Sequence, residues 1–245
     1  MTQLVLLNIF NGLVIGAFYA LMALGLSLII NLTNVINFAH GGFLALGAYL
    51  AYTLQPYLGF WGALIISPFL TALIGIAVER VLIRPLYVRD PLYGLLLTFG
   101  LAYVIQDSVR MIWGAQGLPY QVPESLQSPL SSTLFFLTGY RVFMVALVAI
   151  VVVALFVVLK KTRLGMRIRA GTLDLEMVSA LGVDVRILRN LNFGLGIFFA
   201  GLAGALAAGM LGLTPTIGDQ LIMPSFVAVI VGGLGSLVGT LFGGL

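Results

Sequence analysis

Residues 142–159, VFMVALVAIVVVALFVVL, run for eighteen apolar residues without one polar interruption. As a helix that length measures about 27 Å, close to the ~30 Å hydrocarbon core of a bilayer. In lipid, every backbone N–H and C=O needs a partner within the protein, which leaves helices or closed barrels. A barrel strand alternates in polarity over about ten residues, and this segment does not. The rest of the chain is of the same kind. It is 61% hydrophobic and 8% charged, whereas soluble domains carry about 25% charged residues. The expectation is therefore an all-α, polytopic transmembrane helical bundle, one domain over residues 1–245, with the lipid bilayer as its solvent.

The apolar runs predict seven spans, at about 9–30, 31–54, 60–79, 92–112, 141–159, 190–211 and 226–245. Short loops rich in Lys and Arg stay in the cytoplasm. Lys160, Lys161, Arg163, Arg167, Arg169, Arg186 and Arg189 crowd the loop 160–189, and Arg80, Arg84 and Arg89 follow the third span. Two spans separate these loops, as a common side requires. The intervening loop 114–139 carries one charge, Glu124, and is expected outside, as is the N-terminus. "MTQLVLLNIF" lacks a basic leader and reads as the start of the first span.

Several chemistries are excluded. There is no cysteine and one histidine, so thiol chemistry and multi-histidine metal sites are absent. No "GxxxxGK[ST]" phosphate loop occurs, and no residue is a credible nucleophile or general base. The chain is expected not to be an enzyme and to bind no cofactor or metal. Its net charge of +4 is confined to a few loops and is no signal for nucleic acid. The acids Glu79, Asp90, Asp107, Glu124, Asp174, Glu176, Asp184 and Asp219 all fall in loops or near span ends, which argues against proton coupling.

The loop 160–189 is too patterned for a tether. Within it, TLDLEMVSALG (172–182) predicts a short helix. Thr172 is its expected N-cap, and Asp174 and Glu176 lie in its first turn, where negative charge is favoured. Leu173, Met177, Ala180 and Leu181 recur at helical spacing, and Gly182 suits the position just past the end. The apolar stripe either packs on the protein's own helix ends or lipid surface, or docks another protein in helix-in-groove fashion.

TRLGMRIRAGTLDLEMVSALGVDV, followed by a Gly/Ala-rich span, resembles the cytoplasmic signature of permease subunits of ABC importers, most closely the branched-chain amino-acid permeases. GLVIGAFYALMALGLSLI, VINFAHGGFLALGAY and VAVIVGGLGSLVGTLFGGL extend the likeness over nearly the whole chain. Related permeases for urea, short amides and pentoses share much of the pattern. The resemblance implies a multi-pass protein of the bacterial inner membrane that translocates branched-chain or other small amino acids. Its implied partners are ABC ATPase subunits that hold ATP and Mg, a second permease subunit and an extracytoplasmic solute-binding protein. Leu173, Asp174, Glu176, Met177, Ala180, Leu181 and Gly182 would belong to the coupling helix seated on the ATPase. Family members usually continue past the position of Leu245 by about one span. The rival class is a passive solute channel, which has no need of an ordered cytoplasmic helix.

One stretch interrupts the apolar sequence, NVINFAHGGFLALGAYLAY (34–52). Two adjacent glycines weaken a helix by roughly 2 kcal/mol relative to alanine, so Gly41-Gly42 predict a break at the middle of the second span. Transporters use such broken helices at solute sites, with half-helix N-termini aimed at anionic groups. Asn34, Asn37 and His40, three residues apart, would line one face. The other reading is close packing of small residues with polar cross-bonds, as also expected at Gly12 and Gly16 and at Gly235, Gly239 and Gly243. A second broken element is expected at LTPTIGDQLIMPSF (213–226), where Asp219 either lines the outer mouth or caps a helix, capping being preferred.

Overall fold

The computed structural model describes residues 2–132 and 135–245. The described helices are α1 (Thr2–Thr33), α2 (Ala39–Val78), α3 (Pro91–Trp113), α4 (Glu124–Gln127), α5 (Gly139–Lys161), α6 (Arg163–Leu173), α7 (Leu175–Ala180), α8 (Val185–Leu211), α9 (Ile217–Gly232) and α10 (Leu237–Gly244). Five apolar stretches among the described residues are long enough to cross a membrane: Leu7–Thr33, Ala39–Leu86, Pro91–Trp113, Gly139–Lys161 and Val185–Leu211. The all-α bundle is as expected. A small antiparallel hairpin, β1 (Pro129–Ser132) with β2 (Phe135–Thr138), sits in the loop before α5. Thr133 and Leu134 of that loop lie outside the described residues.

Chain punctuation follows local chemistry. Gly59, at φ 67°, divides α2 into arms 39–58 and 60–78, the expected junction of the second and third spans. Asp90 caps α3 by accepting from the Leu92 N–H at 2.9 Å, with Pro91 leading the helix, where its missing N–H is harmless. The expected last span, 226–245, is instead two pieces. Gly233 and Gly235 take φ of 92° and 98°, a backbone open to glycine and closed to a continuing helix. α9 therefore ends at Gly232, and α10 restarts after Ser236, whose hydroxyl accepts from the Gly239 N–H at 3.0 Å.

The bundle is centred on α8, which packs most extensively against both arms of α2 and then against α1. Small residues make this approach possible. A Cβ on Gly47 would lie 2.5 Å from the Gly201 Cα, and one on Gly204 would strike the Leu44 carbonyl. Of the other expected packing glycines, Gly16 meets the Gly244–Leu245 backbone, Gly239 meets Gly232 and Gly243 meets Ala228, while Gly12 faces open space. The turn that follows α2 and the start of α8 meet through Glu79 and Asn190. The two basic segments thus share one end of the bundle, called the basic end below.

Two helices begin inside the bundle. His40, the second residue of α2, lies against Gly25. Gly25 is eight residues before the end of α1 at Thr33, so α2 starts about 12 Å in from that end. It then runs toward the opposite end, where Tyr49 meets Trp113. α9 mirrors this. α8 finishes at Leu211, Leu213 pairs with Leu118 of the far loop, and the chain returns through 212–216. Gly218, in the first turn of α9, lies against Gly41, and α9 runs back toward the basic end.

Candidate functional site

The expected break at the middle of the second span is absent: α2 is helical without interruption from Ala39 to Leu58, and the non-helical stretch is the connection from α1 to α2. Residues 34–38 are the non-helical stretch, and Gly41 and Gly42 lie in the first turns of α2. The expectation that Asn34, Asn37 and His40 share a helical face is corrected accordingly. Asn34 takes φ 55°, a left-handed conformation that asparagine tolerates better than most residues. It is exposed, whereas Asn37 and His40 are fully buried.

Non-helical backbone at this depth needs partners from the protein. Thr98 of α3 supplies two of them. Its hydroxyl donates to the Ile36 carbonyl at 2.9 Å and accepts from the Phe38 N–H at 3.3 Å. Thr33 adds a third, accepting from the Val35 N–H at 3.3 Å. We expect Thr98→Val to leave two part-buried backbone groups unpaired, at up to about 1–3 kcal/mol each. Thermal unfolding in detergent should shift down clearly for Thr98→Val and little for Thr98→Ser.

Polar groups gather at the start of α2 without partners. Neither polar atom of the Asn37 amide is hydrogen-bonded among the described residues. The His40 ring nitrogens also make no bond of normal geometry, although the Met22 carbonyl lies beside the ring. The ring is wedged where α1 meets α8: a Cβ on Gly25 would be 2.7 Å from the Gly196 carbonyl and 2.9 Å from His40 Cε1. Gly41 is in backbone contact with α9, since a Cβ there would lie 2.8 Å from the Gly218 carbonyl oxygen. Gly42 has more room, facing the Ile105 side chain at 3.3 Å. Asp219, at the third position of α9, is exposed and accepts from Gln106 of α3 at 2.7 Å. It ties α9 to α3, and the cap position is held by Thr216.

Beside the linker lies an apolar cleft of about 340 Å³, lined by Ile30, Asn34, Ile36, Leu92, Leu95, Phe226, Val229, Ile230 and Leu234 among others. Of the sequence-predicted pathway residues, only Asn34 reaches it. A larger, more polar cleft of about 610 Å³ opens at the opposite end between Tyr120, Glu124, Tyr140 and Arg141.

At the basic end the predicted docking helix is present with a different start. α6 extends through Thr172 and Leu173, and Asp174, not Thr172, caps α7 by accepting from the Met177 N–H at 2.9 Å. Thr172 instead donates back to the Arg169 carbonyl. An aspartate with extended backbone suits an N-cap better than a threonine already inside a helical turn. The end of α7 is as expected. Gly182 takes φ 82°, its N–H donates to the Ser179 carbonyl, and the Val183 N–H donates to the Val178 carbonyl, a left-handed C-terminal closure.

Burial then separates two faces. Val178, 4% exposed, anchors α7 to the bundle. Leu173, Met177 and Leu181 project outward at 90%, 58% and 76% exposure, joined by exposed Asp174, Glu176 and Ala180. The predicted stripe thus faces away from the protein, with Val178, absent from that stripe, facing in. Reasoning from sequence also missed Thr98, one of several hydroxyl residues in α3 with nothing local to single it out, and the complete burial of Glu79.

No solved structure matches this chain. A sequence profile described as "Branched-chain amino acid transport system / permease component" matches residues 8–245. The chain is 29% identical to the high-affinity branched-chain amino acid transport system permease protein BraD of Pseudomonas aeruginosa, over 96% of this chain and 81% of that one. It is 30% identical to the probable branched-chain amino acid transport permease protein LivH of Methanocaldococcus jannaschii, over 91% and 73%. With the LivM permease protein of Escherichia coli K12 it shares 28% identity over 89% of this chain and 57% of the relative. The profile covers nearly every element described above, so this integral membrane protein is a transport component rather than an enzyme and belongs to the family of branched-chain amino acid transport permeases.

Proposed function

We propose that the chain is the membrane-spanning subunit of an ATP-driven importer of branched-chain amino acids. A binding protein delivers solute to the outer face, and ABC ATPase subunits that carry ATP and Mg drive the cycle from the cytoplasm. The observation that carries this reading is the outward-facing Leu173, Met177 and Leu181 on and beside α7, which Val178 anchors to the bundle and Gly182 closes. Exposed apolar side chains on an ordered element outside the spans fit a groove in a partner, and a passive channel has no use for them. Similarity to BraD and to LivM, two differently named permease proteins, supports pairing with a related second chain.

The solute path in this reading passes the junction of α2 and α9. Both helix N-termini point into the bundle there, and a helix start favours an anionic group such as a carboxylate. Asn37 and His40 bring polar atoms without partners to that point, Asn34 joins it to the apolar cleft, and Gly41 lets α2 and α9 approach, with Gly42 beside it facing α3. An aliphatic solute side chain suits the Ile/Leu/Phe lining of that cleft.

The test is co-purification after mild solubilisation from native membranes, followed by uptake in proteoliposomes. An ATPase and a second permease chain should remain attached. A lone chain that conducts solute without ATP would establish a channel instead. Orientation has its own test in this cysteine-free protein. A cysteine at Gln127 should react with an impermeant maleimide from outside, and one at Arg186 only after permeabilisation; the reverse pattern overturns the cytoplasmic placement of the basic end.

A further inference from the structure

Glu79 is fully buried at the basic end, and the chain wraps around it. After α2 the helix widens into a π turn, Glu79–Ile83, then tightens into a 3₁₀ turn, Arg84–Leu86. Such irregular turns recur at functional sites. Here they bring donors back onto one carboxylate. Arg84 donates through its terminal nitrogen at 3.0 Å, the Tyr87 hydroxyl donates at 3.0 Å, and the Asn190 amide of α8 closes the set. Burial, reinforced by the Glu79 charge, holds the Tyr87 hydroxyl above its ordinary pKa range, so it stays a donor. Asn190 also donates to the Ile76 carbonyl at 3.1 Å.

The cluster does not stop there. The Arg189 guanidinium stacks 4.6 Å over the Tyr87 ring and donates to the Leu32 carbonyl at 3.3 Å. Leu32 lies in the last turn of α1, where carbonyls lack helical partners, and the linker 34–38 begins two residues on. The docking segment rests on the same point. A Cβ on Gly171 of α6 would lie 2.8 Å from the Leu32 side chain and 3.5 Å from that of Leu188. Asp184, four residues past the end of α7, caps α8 by accepting from the Arg186 and Ile187 N–H groups.

We infer that Glu79, Arg84, Tyr87, Asn190 and Arg189 form a transmission joint, which makes displacement of the docking segment move the end of α1 and with it the broken linker. The residues are positioning residues; none meets solute. The inference rests on the importer reading, in which force arrives at α7. A buried carboxylate that ties three segments together is a rigid connection, because separating any partner leaves a charge in low dielectric. Coupling between distant sites can be carried by a packed and hydrogen-bonded network that both sites bias.

The experiment uses the assembled transporter with its ATPase and binding protein in proteoliposomes. It compares wild type, Glu79→Gln and Arg189→Lys, each also carrying Ile36→Cys as a thiol reporter in the exposed part of the linker. Glu79→Gln keeps the shape and removes the charge. Arg189→Lys leaves the Glu79 contacts whole and loses the planar stack, so it decides the matter should Glu79→Gln not assemble. Both variants should retain the ATPase and hydrolyse ATP. Solute moved per ATP should fall by about 5-fold or more, the range typical of a lost intersite coupling, and the ATP-dependent change in labelling of the linker thiol should disappear. Wild-type solute yield and labelling response in the variants would overturn the joint and leave the importer reading standing. A wild-type chain that retains no ATPase would overturn both.

Discussion

Replacing Leu181 with Asp should release the ATPase from an otherwise intact permease. Leu181 is 76% exposed just past α7, so the folded chain does not need its side chain. In the proposed complex with the ATPase the same position would lie inside an apolar interface. An unpaired charge there is strongly unfavourable, and a central interface residue is worth about 2 kcal/mol or more. ATPase retention should therefore fall by roughly 30-fold or more, since 1.4 kcal/mol is a factor of ten. Gly182→Val tests the same element through its backbone. At φ 82° a Cβ meets the neighbouring carbonyl at about 1–2 kcal/mol, and a β-branched residue is worse placed than most. The exit of α7 should tilt, and the stimulation of ATP hydrolysis by loaded binding protein should drop. Pull-down of the ATPase and solute-stimulated hydrolysis in proteoliposomes read both. If Leu181→Asp retains partner and stimulation at wild-type level, residues 173–182 do not dock the ATPase and the channel reading gains.

Gly41 and Gly42 should separate sharply in a methyl scan, though they are neighbours. A Cβ on Gly41 would lie 2.8 Å from a backbone oxygen of Gly218 and 3.1 Å from Ile222 Cβ. Backbone cannot swing aside as a side chain can. Overpacking of this kind typically costs about 1–3 kcal/mol, and here the strain falls on the meeting point of two half-helices. Gly41→Ala should therefore lose most uptake while the protein still inserts, and Gly41→Leu should lose all of it. Gly42 faces the flexible Ile105 side chain at 3.3 Å, so Gly42→Ala should transport within about twofold of wild type, the Ile105 rotamer absorbing the methyl group. Equal, near-normal uptake from Gly41→Ala would remove the contact from the mechanism.

The sequence made the bundle legible because lipid allows so few answers. Unbroken apolar runs located the second arm of α2, α3 and α5 to within about two residues and α8 to within about five, whereas α1 starts about seven residues before its expected start and α2 about eight after; clustered Arg and Lys placed two loops at one end. Gly182 was legible because a glycine after an apolar stripe has one common use. The break expected at Gly41-Gly42 is absent because Gly41 serves close approach to Gly218 and Gly42 packs on Ile105. The true linker, NVINF, has neither glycine nor proline; Asn34 supplies the turn, and Thr98, sixty residues on, supplies partners that no local pattern reveals. Gly233 and Gly235 split the last helix where an apolar run suggested continuity. Asp174 displaced Thr172 as cap because α6, unforeseen, had already taken the threonine. Glu79 was visible only as a charge at a span end, since its burial depends on Asn190 far along the chain.

The glycine seam between α2 and α8 also bears on how the chain matures. Gly47 and Leu44 find their counterparts, Gly201 and Gly204, only after three-quarters of the protein has been made. Until then the nascent α2 sits in lipid with a groove shaped for a helix that does not yet exist, beside a buried histidine and asparagine. Helices in a bilayer associate by close packing and hydrogen bonds, not by escape from water. Before α8 arrives, α2 is held mainly by α3, through Thr98 and Ile105, and its glycine seam stays empty. Assembly is a late, long-range event, and a chain released before α8 presents to the membrane's quality control a set of inserted but incompletely packed segments.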